Sequence, residues 1–307
     1  MRLGSILALT AALGLAGAAD AQELTGTLRK IRESGTIVIG HRATSMPFSY
    51  LGKDEKPIGY ALDLCDRVVA AVTTKLGLPE LEIKRVPVTP ANRIQSILDG
   101  SIDLECGSTS NNLERQKVVT FSITYFVTAN RFVAKSASGL KSLDDLRGKT
   151  VVSTVGTTNL KQISELNVQR HLDLSIVAAK DHAEAFRMLT SDRASAFVMD
   201  DILLYSLVAN TASPSDYAIS SEALSVEPYG IMLRGDDEPF KKIVDDTLSD
   251  IYRKGELGPI YAKWFLSPIP PNGINLIVPM SAQLKHVVAM PTDSGNPADY
   301  MTAVGGQ

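Results

Sequence analysis

The chain is short of several things. Net charge is only −3 across 307 residues, so nothing global directs it to nucleic acid or to an anionic membrane, and any electrostatic argument has to be local. After the first residues no apolar run approaches the roughly 20 residues that a bilayer-spanning helix needs. Short-period repeats and low-complexity segments are missing. Cysteines number two, Cys65 and Cys106. An oxidising compartment would permit a bond between them, but two buried thiols remain the alternative, because spacing alone cannot supply disulfide geometry. No metal and no cofactor is expected.

What is present is ordinary globular material, 44% hydrophobic and 21% charged, enough for one large domain or two of usual size. The start has the layout of an export signal. Arg2 gives a weak positive region, Ile6 to Ala16 a short apolar run, and Ala19-Asp20-Ala21 a small-x-small pattern. Cleavage is expected between Ala21 and Gln22. No cysteine follows the apolar run, so lipidation is not expected. These features predict a soluble periplasmic protein.

Strand-like and helical patterns then alternate. Thr36–Gly40 is a β-branched run, and positions 61, 64, 65, 68, 69 and 72 are apolar at helical spacing. Leu81–Val88 reads as a strand, Ala91–Leu98 as a short helix, and Ser101–Gly107 as a strand. A second unit repeats the rhythm, with strands at Lys149–Thr154, Leu174–Ala179 and Ala194–Met199 and helices between them. The pattern predicts an α/β protein of two lobes, each with a mainly parallel sheet, joined by two crossing strands. The expected division is 22–127 plus 229–280 for one lobe and 128–228 for the other. One long helical region is expected over Phe240–Phe265, and a loosely ordered tail over 281–307.

Ligands in open α/β sheets bind beyond the carboxyl ends of strands. The residues at those ends are therefore candidates: Arg42, Arg93, Ser108, Thr109, Ser110, Arg115, Gly156, Thr157, Thr158, His182 and Asp200. Arginine presents a planar fork to a carboxylate. Three arginines exceed what one α-carboxylate needs, which points to a dicarboxylic amino acid with Asp200 facing its ammonium group. Gly156–Thr158, at a helix start, would add amide donors. Plainer roles exist for each: solvated loop arginines, Asp181 and Asp200 as helix caps, Ser108 and Thr109 as turn formers.

At these positions the sequence resembles the glutamate/aspartate-binding members of the family 3 solute-binding proteins. The blocks that carry the likeness are Ile39-Gly-His-Arg42, Pro47-Phe-Ser-Tyr50, Glu105-Cys-Gly-Ser-Thr109, Asn111-Asn-Leu-Glu-Arg-Gln-Lys117, Gly156-Thr-Thr158, Ala179-Lys-Asp-His182, Met199-Asp-Asp201 and Lys263-Trp-Phe265. The resemblance implies the type II periplasmic-binding-protein fold, hinge closure on glutamate or aspartate, delivery to the permease of an ABC importer, and a monomer that is no enzyme. It implies that Arg115, Ser108 and Thr158 seat the α-carboxylate, that Asp200, Ser108 and Ser110 hold the ammonium, and that Arg42, Arg93 and His182 take the distal carboxylate. It departs from the family at Pro90, where a serine is usual, so one hydroxyl donor to the distal carboxylate is lost. A ligand sensor and a secreted cyclohexadienyl-type dehydratase on the same fold are the alternatives.

Overall fold

The protein was analysed as a computed structural model, which describes residues 24–301. The expected signal peptide and its cleavage position lie outside the described residues, as do residues 302–307. Among the described residues no helix is long and apolar enough to cross a membrane.

The chain begins with α1 (Gly26–Ser34) and β1 (Thr36–His41). A small antiparallel sheet follows, made by β2 (Thr44–Ser45), β3 (Ser49–Leu51) and β4 (Pro57–Ile58). Next come α2 (Tyr60–Leu76), β5 (Glu82–Pro87), α3 (Arg93–Leu98), β6 (Leu104–Cys106) and β7 (Val119–Phe121). The chain then crosses to β8 (Phe126–Lys135), β9 (Thr150–Thr154), α4 (Thr158–Gln169), β10 (Ser175–Ala179), α5 (His182–Thr190), β11 (Ala196–Asp200), α6 (Asp201–Ala209) and β12 (Tyr217–Ile219). It returns through β13 (Ser225–Tyr229) and β14 (Met232–Arg234), and ends with α7 (Glu238–Arg253), α8 (Leu257–Phe265) and α9 (Ala282–Ala289).

Two main sheets result. The first has the order β5-β1-β6-β14-β7, and the second β10-β9-β11-β8-β12 with β13 also on β8. In each, the strands fed by βαβ units are parallel: β1 with β5 and β6, and β9 with β10 and β11. The returning strands are antiparallel, β14 in the first sheet and β8 in the second. This is the two-lobed α/β architecture the alternating pattern predicts, with mixed rather than all-parallel sheets. The two crossing segments run side by side. Tyr125 N–H donates to the Tyr229 carbonyl at 2.9 Å, and Ser122 N–H to the Ile231 carbonyl at 2.9 Å.

Aromatic residues are only 6% of the chain, yet many of them meet at this crossing. Phe48, Tyr60, Phe126, Tyr229, Tyr261 and Phe265 form one cluster, with Phe48 edge-on to Phe126 at 4.8 Å and Tyr261 stacked on Phe265 at 4.4 Å. Tyr229 and Phe126 face each other across the β13–β8 pair. Buried rings at such separations attract one another beyond their area burial. The crossing is therefore anchored by close-packed rings from α2, α8 and both linking segments.

Two expectations need correction. The helical region over 240–265 is two helices, because Gly255, at φ +72°, turns the chain between α7 and α8. Over its described residues, 281–301, the expected tail is ordered. Ser281 caps α9 by accepting from Leu284 N–H, and Leu284, Val287 and Tyr300 are buried. Those apolar positions recur at helical spacing after a capping serine, a signal outweighed by the polar, glycine-bearing surroundings.

The open question about the cysteines is closed by the structure: Cys65 on α2 is bonded to Cys106 at the end of β6, with Cα atoms 6.4 Å apart. The link pins α2 to the strand that runs directly into Gly107 and Ser108. It closes a loop spanning 41 residues. Replacing both cysteines by alanine should lower unfolding stability by about 4 kcal/mol, the loop-closure entropy for that length. Denaturant melts of the double variant and the oxidised parent test this, and an unchanged stability would refute it.

Candidate functional site

The strand ends of the two sheets face each other. The walls come from the ends of β1 and β6 and from α3 on one side, and from α4, α5, β11 and α6 on the other. They enclose a small polar gap bordered by Arg42, Arg93, Ser108, Ser110, Thr157, Thr158, His182 and Asp200, as the strand-end reading predicts, and also by Asn159, Met199 and Leu203, which it missed. The lobes are nearly in contact here, leaving a cavity of only about 10 Å³. Larger hollows exist elsewhere among the described residues, such as one at Phe126, Tyr205 and Tyr261, which does not hold Arg42, Arg93, His182 or Asp200.

Arg42 and Arg93 are each only 2% exposed. Burial, and for Arg42 next the neighbouring Arg93, lowers the pKa of both guanidinium groups, while the carboxylate of Glu105 opposes the shift. Glu105 is fully buried beneath them, and one of its oxygens accepts from Thr109 Oγ1. Thr109 in turn accepts from Arg93 Nη1 at 2.6 Å. Thr109 therefore stands behind Arg93 and holds it, and does not border the gap. Gly107 is required at this point: a Cβ there would collide with Glu105 Oε1 and lie 2.7 Å from Arg42 Cγ. Even so, Arg42 Nη1, Arg93 Nε and Ser108 Oγ are buried with no hydrogen-bond partner. Leaving such a group unpaired costs about 1–3 kcal/mol, and more when it is charged.

His182 sits between the walls. Its Nε2 lies 3.3 Å from Arg42 Nη2 and its Nδ1 2.8 Å from Thr154 Oγ1. A guanidinium can only donate, so Nε2 accepts and Nδ1 carries the hydrogen. Burial, then the charges of Arg42 and Arg93, hold the imidazole pKa well below the usual histidine range. Both ring nitrogens are engaged, so His182 acts on the site through Arg42.

The opposite pole is acidic. Asp200 is 3% exposed and precedes α6, but its side chain makes no capping bond. It accepts instead from Asn159 Nδ2 at 2.8 Å and from the Tyr229 hydroxyl. Burial, followed by the charge of Glu227, raises its pKa to about 7. Asp181 does cap α5, accepting from Glu184 N–H at 2.8 Å. Asp201 turns away to Thr128 and Arg131. Of three aspartates with the same sequence signature, only Asp200 faces the gap.

Arg115 bridges the walls, with Nη1 donating to the Ser110 carbonyl at 2.6 Å and Nη2 to the Gly156 carbonyl at 3.3 Å. Ser110 Oγ is 3.4 Å from Thr158 Oγ1, and Thr157 caps α4 through Leu160 N–H. Gly156, at φ +77°, lies against the backbone of Pro90 and Ala91, where a Cβ would clash. Pro90 thus forms part of the contact between the lobes. The sequence reading also missed Glu105, Tyr229 and Glu227. The first lies inside the Glu-Cys-Gly-Ser-Thr block and the others on β13, whose role at the site depends on how the chain returns.

Residues 37–267 match the sequence pattern of the bacterial extracellular solute-binding proteins, family 3. The chain is 49% identical to an L-glutamate/L-aspartate-binding protein of Pseudomonas aeruginosa over 93% of this chain and 95% of that one. It is 43% identical to a glutamate/aspartate import solute-binding protein of Escherichia coli, over 94% and 96% of the two. Among solved structures, a mutant of ArgBP from T. maritima superposes with a TM-score of 0.70 at 29% identity, covering 78% of this chain and 99% of that one.

Nitrogen-detected NMR should find His182 as the Nδ1–H tautomer in the closed form, titrating below the ordinary histidine range. A midpoint at or above that range would contradict the geometry.

Proposed function

Because the chain belongs to the bacterial extracellular solute-binding proteins, family 3, we propose that it captures glutamate or aspartate between its two lobes and delivers it to the permease of an ABC importer. It is a binding protein and not an enzyme, as are its relatives at 43–49% identity. The observation that carries the choice of ligand is the pair of buried guanidinium groups with unpartnered N–H donors beside an unpartnered serine hydroxyl. Donors of that kind call for a carboxylate, and a bidentate one matches the arginine fork.

In this reading the distal carboxylate lies between Arg42 and Arg93, with His182 steadying Arg42. The α-carboxylate takes Arg115, Ser108 and the backbone N–H donors at the start of α4 around Thr158, while Gly156 and Thr157 shape the loop around it. The ammonium group meets Asp200, with Ser108 and Ser110 beside it. Thr109 contributes by fixing Arg93. A ligand so placed touches both lobes only when they are together, which biases the equilibrium toward the closed state. The hinge is assigned to the paired crossings at Phe121–Phe126 and Tyr229–Met232, and the lobes to 22–127 plus 229–280 and to 128–228, with α9 packed alongside. Pro90 leaves the distal carboxylate without a serine hydroxyl, so glutamate and aspartate both stand as the cargo. The chain is proposed to act as a monomer in the periplasm, unlipidated, after removal of its signal peptide.

Isothermal calorimetry with the twenty amino acids should show saturable binding of glutamate or aspartate; binding of a neutral amino acid alone would overturn the reading. Asp200→Ala should weaken binding by about 2 kcal/mol or more, the cost of losing a buried charge partner, and an unchanged affinity would remove Asp200 from the site. Asp200 must be ionised to hold an ammonium group. With its free pKa at about 7, binding expels a proton below that pH. Affinity should therefore be flat above neutrality and fall on acidification, by at most about tenfold per pH unit. Calorimetry across pH reads that slope, and affinity that rises on acidification would contradict it.

A further inference from the structure

Glu227 is a carboxylate that the proposed ligand contacts leave out. It is 7% exposed, in the middle of β13. Its Oε2 accepts from Thr158 Oγ1 at 3.0 Å, and its Oε1 from Ser225 Oγ at 2.7 Å. Tyr229 lies two residues on. Side chains two apart on a strand share a face, and the Tyr229 hydroxyl donates to Asp200. One face of the returning strand thus holds both Thr158 and Asp200, the two sides of the acidic pole.

We propose that Glu227 is a positioning and specificity-determining residue of the ammonium pole: held over Thr158 on the same face of β13 as Tyr229, it adds a second negative charge beside Asp200 and so selects ligands that carry an α-ammonium group. This rests on the dicarboxylic amino acid reading of the site and deepens it. The Thr158 hydroxyl hydrogen is committed to Glu227, so its oxygen offers lone pairs to the gap, suited to an N–H donor. A dicarboxylate without an amino group would meet two carboxylates and an acceptor oxygen with no cation to offset them. Such juxtaposed like charges are repulsive enough to set specificity.

The groups facing Asp200 support this. Glu227 raises its pKa, second only to burial, and Asp201 on α6 adds to the effect. The hydrogen bonds from Tyr229 and Asn159 lower it. From the other wall, Arg93 and Arg115 each feel the charge of Asp200, and Arg115 also that of Glu227. Thr158, Asn159, Asp200 and Glu227 belong to α4, β11 and β13, around the second sheet, and Tyr229 stands where β13 runs into the crossing. The acidic cluster therefore stays together when the lobes separate, and Glu227 acts before the ligand arrives.

The test uses the full-length mature protein, with Glu227→Gln, which keeps shape but removes charge, and Ser225→Ala, which removes one support but keeps charge. Carboxyl NMR follows Asp200 in the ligand-free protein, calorimetry compares glutamate with glutarate, its analogue without the amino group, and thermal melts confirm folding. Glu227→Gln should lower the Asp200 midpoint by about half a pH unit or more and cut the preference for glutamate over glutarate by about fivefold or more, the scale of a screened charge pair. Ser225→Ala should leave the midpoint in place. A midpoint or a preference unmoved by Glu227→Gln would overturn the proposal. If the parent protein binds no acidic amino acid, the functional reading fails, and the ligand-free midpoint still decides whether Glu227 acts on Asp200.

Discussion

Two guanidinium groups buried side by side set the terms for the rest of this molecule. Arg42 and Arg93 repel each other, and burial strips both of the water that would screen them. Glu105 answers part of that charge from below, and reaches Arg93 through the Thr109 hydroxyl rather than by an ion pair. Arg42 Nη1 and Arg93 Nε stay without a hydrogen-bond partner, on residues that border the gap. The closed arrangement is thus poorly compensated by the protein alone, and an anionic ligand would supply the missing charge. In the proposed function, cargo of the right sign would then favour the closed state.

The scaffold makes that condition consequential. The arginines belong to β1 and α3, while their counterparts Asp200 and Thr158 belong to β11 and α4 across the gap. Side-by-side crossings, packed in a cluster of aromatic rings, connect the two sets and limit how the lobes can move. The Cys65–Cys106 bond fixes the strand that delivers Ser108 and, with Gly107, keeps Arg42 within reach. In the proposed function, charge balance, hinge and strand position serve one operation, the approach of two incomplete half-sites.

Most of the fold was legible from residue patterns. The βαβ rhythm located both sheets, because parallel strands with crossover helices leave regular apolar periods. The strand-end rule then found nearly all of the gap's polar border. The failures have physical causes. Spacing cannot tell a capping aspartate from a ligand-facing one: Asp181, Asp200 and Asp201 all stand at the starts of helices, and only packing separates them. Thr109 sits among gap-lining neighbours, yet its side chain turns to Arg93 and Glu105. Glu227 and Tyr229 reach the site through the return of the chain along β8, a long-range pairing with no local signature. The α9 helix was hidden because its few apolar contacts are made with α7 and β8, both distant in sequence.

A crystal structure of the protein with glutamate tests the central claim most directly. The account predicts a closed protein with the side-chain carboxylate between Arg42 and Arg93 and the ammonium group against Asp200. A ligand bound with its side chain away from Arg42 and Arg93, or held by one lobe while the other stays apart, would contradict it.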